Sequence, residues 1–556
     1  MGHSRDGRIF AESRAARNGC GAVSMQQYDF IIIGAGSTGC VLANRLSAKP
    51  NLQVLLLEAG PKDRNPWIHI PIGYYRTMGD TSINWGYQTD AVPQSGGRSF
   101  DWPRGKVLGG CSSINGLVYA RGQAEDFDYW RQLGNTGWSF DDVLPYFRRA
   151  EGATIDGLDE DYHGRDGPLG ISRASQNPLC DAYIQAAEQA GIPANSDYNG
   201  RQQEGAGYFQ VTTRNGWRSS AATAYLRPAR KRPNLHIQTG TMVRRLVIEG
   251  TKVVGVEVER NGRIDVLRAG REVLLSAGAI NSPKILQLSG IGDAQHLRQL
   301  GIDVAHDLPA VGENLQDHYT CRSTYRCSQP VTVNDEVRNW RGKAAVGLRW
   351  LKDRGGPMSL SAGQVGVFAK TRPDVMTPDV QFHFMRYSAQ KRGRVLDPYS
   401  GFTVTVCQLR PESRGHVRIA SADHRLPPSI QPNYLDSSTD RDTMVAGVRL
   451  VRKVAGQNAL ADYISDEILP GADVTSDDQL LAYVRANGSS IFHPSSTCRM
   501  GTDVGAVVDP RLRVHGLTGL RVADASIMPT LVSANTNAAC IMIGEKAADM
   551  ILQDIS

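Results

Sequence analysis

The chain has 556 residues, 41% hydrophobic and 21% charged, which is enough to bury a large core and long for a single domain. Its formal charge of +6 arises from 62 basic and 56 acidic residues spread along the sequence without a polybasic tract, so a nucleic-acid partner is not indicated. No apolar run approaches the roughly 18 residues of a spanning helix, although peripheral attachment stays open because a surface face cannot be read from sequence. Nine cysteines are scattered with no CxxC pair, which suits reduced thiols in a cytoplasm, the expected location, and no metal site is expected.

Residues 1–24 interleave Arg5, Arg8, Arg14 and Arg17 with small and polar residues and lack the apolar core of a signal peptide; they read as a disordered leader or an overcalled start, with Met25 as the beginning. The next stretch organises the chain. Phe30–Ile33 is a short apolar run suited to a strand buried on both faces, and it ends in Gly34-Ala35-Gly36-Ser37-Thr38-Gly39. Val41, Leu42, Ala43 and Leu46 then recur at helical spacing, and Val54–Leu57 forms a second apolar strand closing on Glu58-Ala59. In a strand–turn–helix–strand unit this GxGxxG places a pyrophosphate on a helix N-terminus. Glu58, 19 residues after Gly39, can accept both hydroxyls of an adenosine ribose, which favours FAD or NAD over NADP.

A Trp-, Tyr-, Pro- and Gly-rich stretch follows to Asp101 and reads as ordered loop; then Arg104–Gly116 crowds glycines, serines and Asn115 into turns with N–H groups available to a ligand. Ser139 is an N-cap for a helix reaching Ala150, Gly152–Gly170 a linker or crossover, and Cys180–Ala190 an amphipathic helix. Asn234–Glu259 reads as a meander of strands. Glu272–Gly278 is another buried strand expected beside the first, followed by a helix with Pro283 near its start. From about Tyr319 to Val484, short alternating strands (Ala362–Ala369, Val380–Met385, Phe402–Leu409, His416–Ile419) predict antiparallel sheet. The chain closes on Phe492–Gly501, a strand Leu520–Asp524, and Ser533–Cys540 opening an apolar helix to Ile551.

Together, GAGSTG, LLLEAG, RGKVLGGCSSING, GAINSPKILQLSGIG, VGENLQDH, FHPSSTCRMG, RVADASIMP and NTNAACIMIGEKAADM resemble the glucose–methanol–choline family of FAD-dependent oxidoreductases, and within it the choline dehydrogenase-like alcohol dehydrogenases. The resemblance implies an α/β protein in which a Rossmann-like FAD-binding domain, drawn from residues 25–150, 234–318 and 486–556, carries an α+β substrate domain with antiparallel sheet from 151–233 and 319–485. It implies that Gly34, Gly36, Gly39 and Glu58 hold the ADP half of FAD, with Ser37, Thr38 and Ala59 also binding the cofactor. Val243 would meet adenine through its backbone, Trp85 would contact the cofactor, and Val107, Gly110, Asn115 and Gly116 would border the flavin ring. Asp524 and Ala525 would meet the phosphate–ribityl segment, and Asn537 the flavin. His493 would be the catalytic base and Asn535 the second active-site residue. His318 and His416 read as structural.

The implied reaction is oxidation of a primary alcohol to an aldehyde by hydride transfer to flavin N5, with electrons passing to a quinone-like acceptor. An O2-using oxidase of choline, aromatic or furanic alcohols and a non-redox hydroxynitrile lyase are the alternatives. Three departures matter. Ile114 stands where some relatives anchor FAD through a His, so the FAD is expected to be non-covalent; Ser496 stands where relatives often have Gly, which should reshape the loop slightly; and Leu409 before Arg410-Pro411 argues against a photodecarboxylase. The oligomeric state is not legible.

Overall fold

The computed structural model describes residues 28–390 and 395–555, so the expected leader lies outside the described residues. The strand Tyr28–Ile33 has Val54–Glu58 on one side and Arg263–Leu275 on the other, both parallel to it. Leu235–Thr239 extends the parallel sheet beyond Val54–Glu58, and Leu520–Val522 extends it beyond Leu275. Phe30, Ile31 and Ile32, and Val54 through Leu56, are wholly buried, as a strand covered on both faces requires.

Two details depart from expectation. The LHIQTG segment is not part of the meander: it pairs parallel with Val54–Glu58, and the meander is Met242–Glu249, Lys252–Arg260 and the first half of Arg263–Leu275. The last strand is therefore bifunctional, antiparallel at its exposed start and parallel where it enters the core. Pro283 also lies in the middle of helix Gly278–Leu288 rather than near its start. A proline there leaves the carbonyl of Ala279 without its helical donor. The hydroxyl of Thr497 donates to that carbonyl at 2.6 Å, tying the HPSST loop to this helix.

Ser139 caps Phe140–Ala150 as expected, in a capping box with Asp142. A separate helix, Ala124–Gln132, precedes it, and the glycine-rich crossover begins and ends in two short paired strands, Glu151–Ala153 and Leu169–Arg173.

The second sheet is antiparallel throughout. Its strands run in the order Ile464–Leu469, Tyr319–Cys327, Gly401–Gln408, Val380–Met385, Val365–Ala369 and Gly205–Tyr208. The helices Pro178–Gln189, Ser438–Ala455 and Asp477–Asn487 pack on it. Tyr183 stacks on Phe384 at 4.3 Å, and Gly447 allows helix Ser438–Ala455 to approach Val406, where a Cβ would come within 2.6 Å. The alternate residues of these strands face the other way, into a cavity of about 950 Å³ between the two sheets.

The C-terminal helix Asn537–Asp554 lies across the helix Ser37–Leu46 that follows the glycine turn. Thr38 donates to the carbonyl of Cys540 at 2.8 Å, and the fully buried Glu545 accepts from Arg45 (2.7 Å) and Tyr225 (2.8 Å) and forms an ion pair with Arg149 (2.8 Å). A carboxylate buried without such donors would cost several kcal/mol, so Glu545 locks the chain's end onto its beginning.

Candidate active site

The cavity begins at the glycine turn. A Cβ on Gly39 would stand 1.9 Å from the carbonyl of Gly34, so only glycine lets helix Ser37–Leu46 sit this close to the strand. A Cβ on Gly36 would come no nearer than 3.9 Å to its surroundings, because that side of Gly36 opens into the cavity. The helix has no side-chain N-cap, so its leading N–H groups are left for an anion. Ser276 Oγ, also on the cavity wall, is buried without a partner. Glu58 is buried, and its two oxygens accept from the N–H groups of Ala35 (3.0 Å) and Gly60 (2.8 Å). Burial outweighs those bonds and pushes its carboxyl up to about 7. These features fit a dinucleotide: an anion-ready helix end, open backbone at the second glycine and an acceptor at the ribose position.

Gly34, Gly36, Ser37, Thr38, Glu58, Asn115, Gly116, Asp524, Ala525, Asn535, Asn537 and His493 all line this one cavity. Ala59, Trp85 and Val243 line a small recess that also meets Gly34 and Glu58, as an adenine pocket would. Gly39, Val107 and Gly110 lie behind the wall. Val107 packs with Ile68, Ile83 and Ile114, and Gly110 rests on Gly36, where a Cβ would stand 2.7 Å from its Cα. Asp524 accepts from the N–H of Gly278 (2.8 Å) and the hydroxyl of Ser282 (2.5 Å), holding two cofactor-side turns together. Asn537 accepts from Ser37 at 2.8 Å, which joins the glycine turn to the N-terminus of the last helix.

His493 sits at the far end of the cavity, 8% exposed, after Phe492 at φ 70. Its N–H donates to Asp317 at 2.6 Å, and Asp317 also accepts from Ser490 (2.6 Å) and Tyr434, so the loop is clamped by a buried carboxyl. Burial pushes the Asp317 carboxyl up to about 6.

The ring's two nitrogens are distinguished by their neighbours. His318 Nε2 lies 3.0 Å from the carbonyl of Leu409, which only accepts, so His318 carries its proton there. Its Nδ1 is then a bare acceptor, and the 3.0 Å contact between the two Nδ1 atoms requires the proton on His493 Nδ1. His493 Nε2 is left with a free lone pair, to which the amide of Asn535 donates at 3.2 Å. Burial holds both rings neutral, His318 with its pKa lowered to about 4 and His493 well below the ordinary histidine value. His318, read as structural from sequence, thus sets the tautomer of His493.

Sequence reasoning also passed over the sheet face of the cavity. Thr320 and Arg322, Thr403 and Thr405, and His383 and Met385 line it, with Arg322 opposite Thr405 and Thr405 opposite His383 in register. His383 is 3% exposed with neither ring nitrogen hydrogen-bonded, and burial lowers its pKa to about 4. The signal was present: three apolar strands each carry polar residues at period two, which marks a sheet whose second face looks onto a polar cavity. Ser496 keeps φ at 74, the left-handed conformation a glycine would adopt, so the loop has tolerated serine there instead of changing course.

Comparison with known proteins fixes the class. The GMC oxidoreductase family models match residues 28–320 and 411–544, and the chain belongs to the GMC oxidoreductase family. It is an FAD-dependent oxidoreductase acting on CH–OH donors. The mitochondrial choline dehydrogenase of Homo sapiens is 45% identical over 541 residues, 96% of this chain and 91% of the relative. The oxygen-dependent choline dehydrogenase of Photobacterium profundum is 44% identical over 530 residues, 94% and 93% of the two chains. The crystal structure of pyridoxine 4-oxidase from Mesorbium loti superposes with a TM-score of 0.86 at 31% identity, covering 95% of this chain and 99% of that one. Among the described residues no helix is long and apolar enough to cross a membrane.

Proposed function

We propose that the chain oxidises a neutral primary alcohol to its aldehyde, with His493 as general base, and passes the electrons to a quinone-like acceptor. The observation that carries this reading is the unprotonated Nε2 of His493 beside the amide of Asn535 at the end of the cofactor cavity. An alcohol oxygen placed between them gives its proton to Nε2 and accepts from the Asn535 amide as negative charge develops. FAD, when bound, supplies the acceptor for the hydride that leaves the carbinol carbon. The first two glycines of the turn, Glu58 and Asp524 would hold its polar chain, Asn115 and Gly116 would border its ring, and the absence of a His at position 114 supports non-covalent binding. The two sheets support the division into a flavin part (25–150, 234–318, 486–556) and a substrate part (151–233, 319–485).

The relatives' names point to choline, but the electrostatics of this cavity do not favour it. A quaternary ammonium calls for an aromatic cage with a carboxylate. Among the described residues the cavity does carry aromatic rings, Tyr74, Tyr75, Tyr387 and Phe492, but its sheet face offers Arg322, His383 and three threonines, and the only acids lining it are Glu58, Asp101 and Asp524. Two of these are engaged at the cofactor turns, and Asp101 pairs in sequence register with Gln88 next to Tyr87, whose hydroxyl donates to Asn281 on the cofactor side. An anaerobic titration of the yellow protein with choline, benzyl alcohol, hydroxymethylfurfural and a medium-chain alkanol tests this. Bleaching by a neutral alcohol and not by choline is expected; bleaching by choline alone overturns the neutral-substrate reading, and bleaching by none, with flavin still bound, shifts the reading to an untested alcohol or a lyase. Readmitting air to a bleached sample reports whether O2 serves as acceptor.

A further inference from the structure

The helix Trp340–Asp353 stands apart from the rest of the surface. Its inner side is fixed: Trp350 is 5% exposed, meets Trp217 edge-on at 4.7 Å, and has the guanidinium of Arg354 4.5 Å over its ring. Asn339 caps its start, accepting from the N–H of Gly342 at 2.9 Å. Its outer side is apolar where most soluble helices are polar. Trp340, Leu348 and Leu351 are 73%, 66% and 64% exposed. With Ala344 they fall within one arc of about 80° on the helical wheel.

Charge edges this stripe on both sides. Arg341, Lys352 and Arg349 follow it along one flank and Lys343 lies on the other, all exposed. Residues 338–354 hold six basic residues and one acid, Asp353, in a chain whose charge is otherwise nearly balanced. An apolar arc between basic flanks is the pattern of a helix lying in a lipid interface, where the apolar side chains enter the acyl boundary and the long cations reach headgroup phosphates. Pairing of this face with a second copy would set the same cations against one another.

The position also gives the stripe a use. The helix packs on the turn Pro357–Ser359, which packs in turn on Pro71–Gly73; the residues after these turns, Ala362 and Tyr74–Tyr75, line the active-site cavity on its substrate side. We propose that this helix docks the enzyme on an anionic lipid surface, with the substrate side of the cavity turned towards the membrane.

The test is co-sedimentation of the full-length, FAD-loaded protein with vesicles of phosphatidylcholine alone or mixed with phosphatidylglycerol. Binding is expected on the mixed vesicles, weakening at high salt as screening grows. Leu348→Ser with Leu351→Ser should lower the partition roughly tenfold or more, and Arg341→Glu with Lys352→Glu should abolish the preference for anionic lipid. Both double variants change exposed residues only, so flavin content and bleaching by alcohol in solution should match the parent. Equal partition of parent and variants, or no preference for anionic vesicles, overturns the proposal. A parent that ignores vesicles but forms a dimer lost in the leucine variant assigns the face to a second copy instead and equally overturns it.

Discussion

The ring of His318 bridges the carbonyl of Leu409 and Nδ1 of His493, at 3.0 Å from each, and so decides which nitrogen of His493 is free. The base we propose, which takes a proton at Nε2, is thereby held in the required tautomer by a second imidazole. His318→Leu removes the acceptor for Nδ1–H and should lower kcat roughly 10- to 100-fold with little change in KM. His318→Gln, whose amide can donate to Leu409 while its oxygen accepts from His493, should restore most of the loss. Equal activity in the leucine and parent enzymes would mean the bridge has no catalytic part.

His493→Ala should retain flavin absorbance and lose roughly a thousandfold or more of alcohol-dependent reduction. On the proposed binding of the cofactor by the glycine turn, Glu58 and Asp524 at the other end of the cavity, its content should be unchanged. A yellow variant with parental activity removes His493 from the mechanism.

Retention of FAD should depend on pH through Glu58. Its carboxyl is raised to about 7, and only the ionised form offers both oxygens as acceptors to the two ribose hydroxyls, the protonated form keeping one as a donor. Affinity of the apoprotein for FAD should therefore rise as pH increases from about 6 and level off above about 8, by up to tenfold per unit in between. Glu58→Gln should bind more weakly at alkaline pH and show a flat profile. A flat profile in the parent would remove Glu58 from the ribose.

Acid should destabilise the protein through its buried imidazoles. His318 and His383 have folded pKa values of about 4, below the unfolded 6.5, so the unfolded chain binds the extra protons. Stability is then full above pH 6.5 and falls as pH drops towards 4, by about 1.4 kcal/mol per unit for each ring. His383→Leu, replacing a ring without hydrogen bonds, should flatten that slope by one such increment in urea titrations. An unchanged slope would place the acid sensitivity elsewhere.

Ser496 holds a left-handed backbone conformation that costs a serine about 1 kcal/mol relative to glycine. Ser496→Gly should raise the melting temperature by a few degrees and leave kcat intact, read by calorimetry and by flavin bleaching. A lower melting temperature would show that the 3.1 Å contact between the hydroxyls of Ser495 and Ser496 outweighs the strain.

Much of the fold was legible where one local signal sufficed. The apolar run into GxGxxG, the cap at Ser139 and the alternation of Val380–Met385 each name an element without reference to its partners, and each is observed. Pairing was less legible. Leu235–Thr239 reads like the strands after it, yet it is parallel to Val54–Glu58, because its partner is set by the fold and not by its own residues. Pro283 misled because a helix tolerates an interior proline when another donor, here Thr497, serves the vacated carbonyl. The family motifs carried His493 and Asn535 into view. They gave no hint of Arg322 or His383, whose significance depends on which face of a sheet meets the cavity, nor of His318, which matters only through a neighbour 175 residues away.

The bond from Ser37 to Asn537 spans 500 residues. On a ribosome adding roughly 5–20 residues per second, the glycine turn emerges about 25–100 s before the helix that completes it. Until then the strands Tyr28–Ile33 and Val54–Glu58 expose apolar faces that only later segments cover, and the cofactor cradle lacks its far wall. Nascent chains should consequently be unable to retain FAD until after release, and a stop codon before Asn537 should yield colourless, chaperone-bound protein even though every glycine of the turn is present.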